Sequence, residues 1–470
     1  MASILMIAVN RERTPYPVTP IGAAMVTAAL QDAGHRVRLL DLVFISRVGA
    51  AIRKAIRNLR PDIVALSMRN LDNCIMYSPH FYLYEVAEVV DLIRKTTDVP
   101  IIIGGPGFSL APKAILGALN LQWGVVGEGE IAAVNLVEQL LAGNNPCNIQ
   151  GIVTRKHAGP RASPILDLDS LPFQDYRQLS LKAYLRCGSF AGVQTRRGCT
   201  LECIYCVYPY LEGHKIRLRS PKAVVEEVSR ICQDTGCRHF YWADSAFNFP
   251  PGHAYAVCDE LIKKELNITW QAYVNPIGMD GNLVQAMKVS GCVGLELGID
   301  SASDPMLHSL RKGFSQETIA KASEAINRAG IPLAVHLLFG GPGETWTTIK
   351  ETVDFLDKHV PANAVFANIG IRVFRNAPIW HKGLTEGWIN PGQPLLKPYF
   401  YCSPQLGKST LKRLDNIALD RPAWTTPTDW YCRPMNIIQR IMGRFQVRPL
   451  WKNVAVYGRN LRPRLRRIAR

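Results

Sequence analysis

Cys199-Thr-Leu-Glu-Cys203-Ile-Tyr-Cys206 places three thiols at C-x3-C-x2-C spacing, directly after Thr195-Arg-Arg-Gly198. Thiolates are the usual ligands of iron–sulfur clusters. Three of them hold three irons of a cubane and leave the fourth open to a small molecule carrying an amine and a carboxylate. The competing use is a zinc site, which wants a fourth Cys or His at a paired spacing. His214 is the near candidate, and it stands in no motif. Carboxylates and glycines follow: Asp244 in Trp242-Ala-Asp-Ser-Ala-Phe-Asn248, Glu296 and Asp300 in Glu296-Leu-Gly-Ile-Asp-Ser301, and the turn Phe339-Gly-Gly-Pro-Gly-Glu-Thr345. A second glycine set lies earlier, at Gly22, Gly104-Gly105 and Gly127-Glu-Gly-Glu130. Glycines of this kind let a large ligand approach the backbone closely. No Ser/His/Asp or paired-carboxylate arrangement competes for a catalytic role.

These residues fall at the ends of apolar runs. In the middle of the chain a strand–helix unit repeats. Strands are expected over 192–195, 239–244, 269–273, 292–298, 332–339 and 364–371, and helices over 221–233, 252–264, 283–290, 315–329 and 347–358. The first helix shows Val224, Val225, Val228 and Ile231 at helical spacing. Six units without a seventh and eighth predict an open, partial (β/α)6 barrel. Such barrels carry their active sites at the carboxyl ends of the strands. Glu296 shares a strand face with Gly298 and Asp300 by the two-residue period. Asp244 and Asp300 also suit ordinary helix N-caps.

The first 143 residues read as a second α/β unit. Strands are expected over 4–9, 37–41, 62–67, 100–104 and 123–127, with helices over 21–33, 50–58, 83–95 and 131–141. This alternation predicts a doubly wound, flavodoxin-like sheet, which binds ligands outside the carboxyl ends of its strands. Residues 144–184, with Pro146, Gly159, Pro160 and Pro164, read as a linker that is flexible over 144–163. The 470-residue length requires more than one core. Twelve cysteines in such a chain are no disulfide framework, so a reducing, cytoplasmic compartment is expected. The N-terminus lacks a basic n-region and reads as a buried strand rather than a signal peptide. No apolar run reaches membrane-span length.

Gly198-Cys199-x3-Cys203-x-Tyr205-Cys206 resembles the cluster motif of the radical S-adenosylmethionine (SAM) superfamily, including the aromatic before the third cysteine. The resemblance implies a 4Fe–4S cluster on Cys199, Cys203 and Cys206. The three downstream motifs resemble the family's second-, fourth- and fifth-strand elements, in the family's order. They imply SAM contacts from Tyr205, Asp244, Glu296, Asp300, Ser301, Gly340, Gly341 and Pro342. Asp300 stands where the family has glutamate, so its reach is shorter. Pro20-x-Gly22, Gly104-Gly105 and Gly127-Glu-Gly-Glu130 are similar to the cobalamin-binding domain that precedes many radical SAM domains. That likeness implies cobalamin contacts from Thr19, Pro20, Gly22, Arg69, Asn70, Leu71, Asp72, Gly104, Gly105, Phe108, Gly127, Glu128 and Glu130. The alternative is a degenerate module that binds nothing. The Asp-x-His-x-x-Gly signature is absent, which implies that no histidine of this domain replaces the lower cobalt ligand. Residues 69–73 would then lie under the corrin.

As a whole the chain resembles class B radical SAM methyltransferases and their cobalamin-dependent relatives. In that family a 5′-deoxyadenosyl radical activates a carbon, methylcobalamin methylates it, and a second SAM restores the cofactor. Relatives with the same layout perform oxidative ring closure or rearrangement. A non-catalytic cobalamin or iron–sulfur sensor is the alternative from another class. The catalytic residues are not assigned. Arg372-x-Phe-Arg375-Asn-Ala-Pro378-Ile-Trp-His381 falls where relatives often show a Tyr-Pro-Gly-Thr turn, and it reads either as a specificity loop or as plain surface.

Residues 185–384 form the expected radical SAM domain and 385–470 a basic, aromatic-rich C-terminal region. Residues 430–470 hold eleven Lys/Arg and no Asp/Glu, against a net charge of +17 for the chain. A short amphipathic helix over 437–445 would suit an anionic membrane surface, making the protein peripheral to it. An acidic partner or a merely solvated tail fits the same composition. No nucleic-acid fold signature accompanies it, and none is expected as a partner. The expected partners are an external electron donor and a small-molecule, lipid-like or peptide substrate.

Overall fold

The computed structural model describes residues 1–157, 159–160, 162–393, 395–430, 441–443, 445 and 448–460. The N-terminal sheet contains β1 (Ser3–Ala8), β2 (Arg36–Asp41), β3 (Ile63–Ser67), β4 (Ile101–Gly104), β5 (Trp123–Val125) and β6 (Ile152–Val153). Their order is β2-β1-β3-β4-β5-β6, parallel except for the antiparallel β6. β1 is apolar on both faces because helices cover both, as a doubly wound sheet requires. The strand order reverses between β1 and β3, which sets the ligand crevice there. Helices Ile21–Asp32, Val48–Leu59, Leu83–Arg94 and Gly129–Leu141 fall within two residues of their expected bounds. Helices Pro106–Ser109 and Pro112–Leu119 also form, in a stretch where the sequence pattern assigns no element.

The second sheet follows β7 (Ala191–Val193), the antiparallel pair β8 (Arg196–Arg197) and β9 (Arg217–Leu218), then β10 (His239–Trp242), β11 (Thr269–Val274), β12 (Cys292–Asp300), β13 (Leu333–Phe339) and β14 (Ala364–Ile369). β15 (Ile371–Arg372) and β16 (Phe400–Tyr401) pair separately, and β17 (Trp424–Thr425) returns to the main sheet. The order β17-β14-β13-β12-β11-β10-β7 is parallel throughout. The barrel is open, as expected, but it has seven strands rather than six. β17 escaped the sequence reading because two residues carry no periodicity.

Outward side chains such as Trp242, Trp270, Leu295 and Val335 lie buried under the helices. Inward ones alternate with them: Tyr241, Tyr273, Glu296, His336 and Phe366. The amino end of the lumen is floored by Trp451, which packs with Ala334, Ala364 and Phe366. A Cβ on Gly294 would come within 2.9 Å of the Trp451 ring. Part of the aromatic C-terminal region is thus a barrel plug. The amphipathic helix expected over 437–445 lies mostly outside the described residues. No helix among the described residues is long and apolar enough to cross a membrane.

Residues 174–184 of the expected linker are tied down by hydrogen bonds, whereas 155–157, 163–164 and 166–167 are exposed. Tyr176 and Gln174 donate to the Gly192 carbonyl at 2.7 and 2.9 Å, and Tyr184 donates to Asp41 at 2.5 Å. Ile21 packs directly on β7, where a Cβ on Gly192 would approach it to 2.2 Å. Arg372 is neither surface nor loop. It donates to Asp72 at 2.8 Å across the domain seam, with both side chains at most 2% exposed. Removing one partner of such a pair strands the other charge in a dry interior. Asp72→Ala is therefore expected to cost about 3–5 kcal/mol in urea unfolding, and the Asp72→Leu/Arg372→Met double variant to recover most of it.

Candidate functional site

The three cysteines stand on an irregular loop between β8 and helix Tyr208–Glu212. Cys199 donates its amide to the Gly213 carbonyl at 3.1 Å, Ile204 to Leu310 at 3.2 Å and Cys206 to Cys203 at 3.0 Å. Gly198 enters the loop at φ +88°, and a Cβ there would stand 2.1 Å from the Lys215 carbonyl oxygen. Only glycine fits. Buried Arg196 laces the loop to the end of β10: it donates to the carbonyls of Gly198 and Ala246 at 2.6 and 3.0 Å and to the Ser245 hydroxyl at 2.8 Å. Asp244 accepts from the Thr195 amide and hydroxyl at 2.8 and 2.6 Å. Burial raises its carboxyl above the ordinary value, while Arg196 and Thr195 pull it back. Asp244 and Asp300 cap no helix; the next helices are capped by Pro250 and Ser303. Cys199 and Cys203 are buried and Cys206 half-buried. Burial, with a smaller push from the neighbouring Cys203 and Cys199, raises the Cys206 thiol to about 12. Three thiols carried on one loop with few internal bonds suit a shared cluster.

At the end of β12 the register shifts between Gly298 and Asp300, and Asp300 takes the left-handed conformation, φ +64°. The kink turns its carboxylate toward Lys312, 2.6 Å away, and toward the Tyr205 hydroxyl, which donates to it. Lys312 also lies 3.1 Å from that hydroxyl. Burial pulls Lys312 down, but Asp300 more than offsets it and holds the ammonium above its ordinary value. Lys312 was missed in sequence; its signal was only a cation between Arg311 and Gly313. Ser301 bonds Thr352 at 2.9 Å and so braces the strand end. The Gly340 and Gly341 amides both donate to Glu344, at 2.6 and 3.1 Å. Burial lifts the Glu344 carboxyl to about 7 despite those two donors. The Pro342 carbonyl accepts from Ser309 at 2.6 Å. Several expected SAM contacts thus have internal partners and shape the rim.

A cavity of about 690 Å³ lies against the carboxyl ends of the N-terminal sheet. Thr19, Pro20, Gly22, Arg69, Asn70, Leu71, Asp72, Gly104, Gly105, Gly127, Glu128 and Glu130 line it. Phe108 does not: it is fully buried in the core, where a Cβ on Gly124 would meet its ring at 2.2 Å. Glu128 and Glu130 face the cavity but also pin the seam. Glu130 pairs with Arg197 at 2.5 Å and Glu128 with Arg217 at 2.5 Å. Arg69 has no hydrogen-bond or ion-pair partner among the described residues; burial lowers its pKa, and Tyr82 and Tyr184 act in the opposite sense. No histidine is among the lining residues. The far wall is Val207, Tyr208 and Ala243, chain neighbours of Cys206 and Asp244. A Cβ on Gly22 or Gly127 would meet nothing within 4 Å, so side chains there would enter the cavity. Room, glycine edges and a lone guanidinium fit a large cofactor with a flat ring and an anionic phosphate, such as cobalamin.

Residues 193–356 match the Radical SAM superfamily and residues 7–137 the B12 binding domain. The chain therefore carries a B12-binding domain followed by a radical SAM domain. Its cofactors are a 4Fe–4S cluster, SAM and cobalamin. A tryptophan 2-C-methyltransferase of Streptomyces laurentii is 24% identical over 78% of this chain and 72% of its own. An anaerobic magnesium-protoporphyrin IX monomethyl ester cyclase of Rubrivivax gelatinosus is 25% identical over 71% of this chain and 61% of its own. The fold is shared with the radical SAM methyltransferase TsrM from Kitasatospora setae, solved with cobalamin and a 4Fe–4S cluster, at a TM-score of 0.86 and 21% identity over the whole of both chains.

Two outcomes follow. Cys199→Ala, Cys203→Ala and Cys206→Ala should each abolish SAM cleavage, and the triple variant should lose the cluster's iron and visible absorption. Gly22→Leu adds a side chain to the cavity in a helix that favours leucine over glycine. It should leave the melting temperature unchanged or raised, and weaken hydroxocobalamin retention on gel filtration at least about tenfold, the equivalent of about 1.4 kcal/mol.

Proposed function

We propose that the enzyme methylates an unactivated carbon of a small-molecule substrate by way of a 5′-deoxyadenosyl radical. The carrying observation is the single cavity walled on one side by the N-terminal strand ends and on the other by the neighbours of Cys206 and Asp244. When bound, the cluster with SAM supplies the radical, and cobalamin supplies the methyl group. The chain supplies position. Cys199, Cys203 and Cys206 hold the cluster. Lys312, Asp300 and Tyr205 form a charged rim suited to the polar parts of SAM. Arg69, on the cavity wall, would help to hold cobalamin through its guanidinium. The buried pairs Arg197–Glu130 and Arg217–Glu128 close the seam and keep water out. An external electron donor would be required, because cleavage of SAM to the 5′-deoxyadenosyl radical consumes an electron.

The relatives support this reading, one being a tryptophan C-methyltransferase, and TsrM has been solved with tryptophan and a SAM analogue. Ring closure remains the competing outcome, as in the cyclase relative, since cofactors constrain chemistry less than substrate pose does. With SAM, reductant and substrate, the enzyme should form 5′-deoxyadenosine and S-adenosylhomocysteine together, and the labelled SAM methyl should appear on a product carbon. 5′-Deoxyadenosine with an unmethylated product would replace the reading by cyclisation or rearrangement. No 5′-deoxyadenosine and no methylation would point to a sensor.

A further inference from the structure

The barrel lumen contains a carboxylate that the cofactor sites leave unexplained. Glu296 lies on the inner face of β12, flanked by Leu295 and Leu297, which are fully buried on the outer face. The register sets Glu296 beside Tyr273 of β11, and Gly298 beside His336 of β13. One Glu296 oxygen lies 2.9 Å from His336 Nε2. The other, Oε1, is buried with no hydrogen-bond partner. The residue as a whole is 6% exposed. An unpartnered carboxylate oxygen in a dry site is costly unless a ligand completes it.

The surroundings say which ligand. Aromatic rings wall the lumen: Tyr273 lies 5.3 Å from His336, and His336 stacks on Phe366 at 4.9 Å. Tyr16, from the loop after β1, joins them from the other domain through Phe190, which stacks on Tyr241. Burial raises the hydroxyl pKa of Tyr16 and of Tyr241, and the Glu296 charge raises both further. The phenols therefore stay neutral and do not compete for a cation. Ring faces and a carboxylate together favour an organic cation, which gains both ion pairing and cation–π contact. Trp451 floors the lumen, so among the described residues the approach to Glu296 is from the carboxyl-end rim where Asp300 and Lys312 stand. Glu296 lies four strand residues from Asp300, about 13 Å of extended chain. That depth separates it from the charged rim.

We infer that Glu296 binds a cationic nitrogen of the substrate, and that the substrate is a small amine with an aromatic or compact apolar body. The inference takes the lumen as the substrate chamber of the reaction proposed above. It is tested by binding alone, so its failure would leave the methyl-transfer test untouched, and the reverse.

The holoenzyme, loaded with cluster and hydroxocobalamin, is titrated calorimetrically with two matched pairs: tryptamine against tryptophol, and benzylamine against benzyl alcohol. At neutral pH at least one amine should bind about tenfold or more tighter than its alcohol, about 1.4 kcal/mol. Glu296→Gln should erase that preference while iron content, cobalamin content and SAM affinity stay unchanged. Equal binding of amine and alcohol, or binding of neither, would overturn the inference. So would a Glu296→Gln variant that keeps the preference and loses SAM affinity instead, which would return Glu296 to the SAM site. Should Glu296→Gln fail to hold its cofactors, Glu296→Asp takes its place: the charge remains but withdraws by one methylene, and the preference should shrink several-fold. An undiminished preference there would equally overturn the inference.

Discussion

Everything in this molecule depends on holding the carboxyl ends of two parallel sheets against each other. Three buried guanidinium–carboxylate pairs do this: Arg197–Glu130, Arg217–Glu128 and Arg372–Asp72. Pairs this dry gain little net stability, because desolvating two ions offsets most of their attraction. They are strongly directional, however. An arginine fork meets a carboxylate in a narrow range of geometries. Apolar contact alone would let the domains slide, whereas a misplaced buried charge is penalised at once. The seam is therefore specified more than it is stabilised, as a cavity shared by two domains needs.

The same logic operates within the barrel. The lattice of Asp244, Thr195 and Arg196 ties the cysteine loop to β10 before any ligand arrives. Asp300 carries a left-handed backbone, which costs a non-glycine residue about 1–3 kcal/mol and persists only where surroundings enforce it. Here the enforcement is the fully buried Lys312 and the Tyr205 hydroxyl. Strain at this strand end aims a carboxylate at a point that an unkinked strand would miss. Glu344 does comparable work for the Gly340–Gly341 turn, so the glycines are held by a side chain, not left as a loose loop.

Much of this was legible in the sequence, for stated reasons. The cysteine spacing is local and chemically narrow, so it names its own ligand. The N-terminal and barrel strands are apolar runs bounded by helices, and their period survives without tertiary context. The expected glycine-rich strand ends do line the cavity. What stayed hidden was non-local. Phe108 sits in a glycine-rich segment but turns into the core because Gly124 makes room for it. Glu128 and Glu130 read as ligand contacts, and nothing in their own segment reveals Arg197 and Arg217 across the seam. Lys312 gains its role only from a kink twelve residues earlier. β17 and the Trp451 plug are too short to announce themselves, so the place of the C-terminal aromatics stayed open in the sequence, and Trp424 and Trp451 prove to be interior.

The plug alters how the barrel interior should be understood. With Trp451 across the amino end, the lumen is floored among the described residues and faces the seam at its carboxyl end. A substrate of the kind inferred above would have its far end fixed among Glu296, His336 and the tyrosines and its near end presented between the two domains. Reactive chemistry on an unactivated carbon needs that asymmetry: a polar anchor deep enough to set the pose, and a dry, closed approach to the reacting position. An open-ended lumen would admit water behind the substrate and leave the depth of binding undefined. The open seven-stranded barrel thus becomes a one-way chamber through a segment that contributes no motif at all, and specificity is expected to reside in the lumen's inner face rather than in the motif-bearing rim.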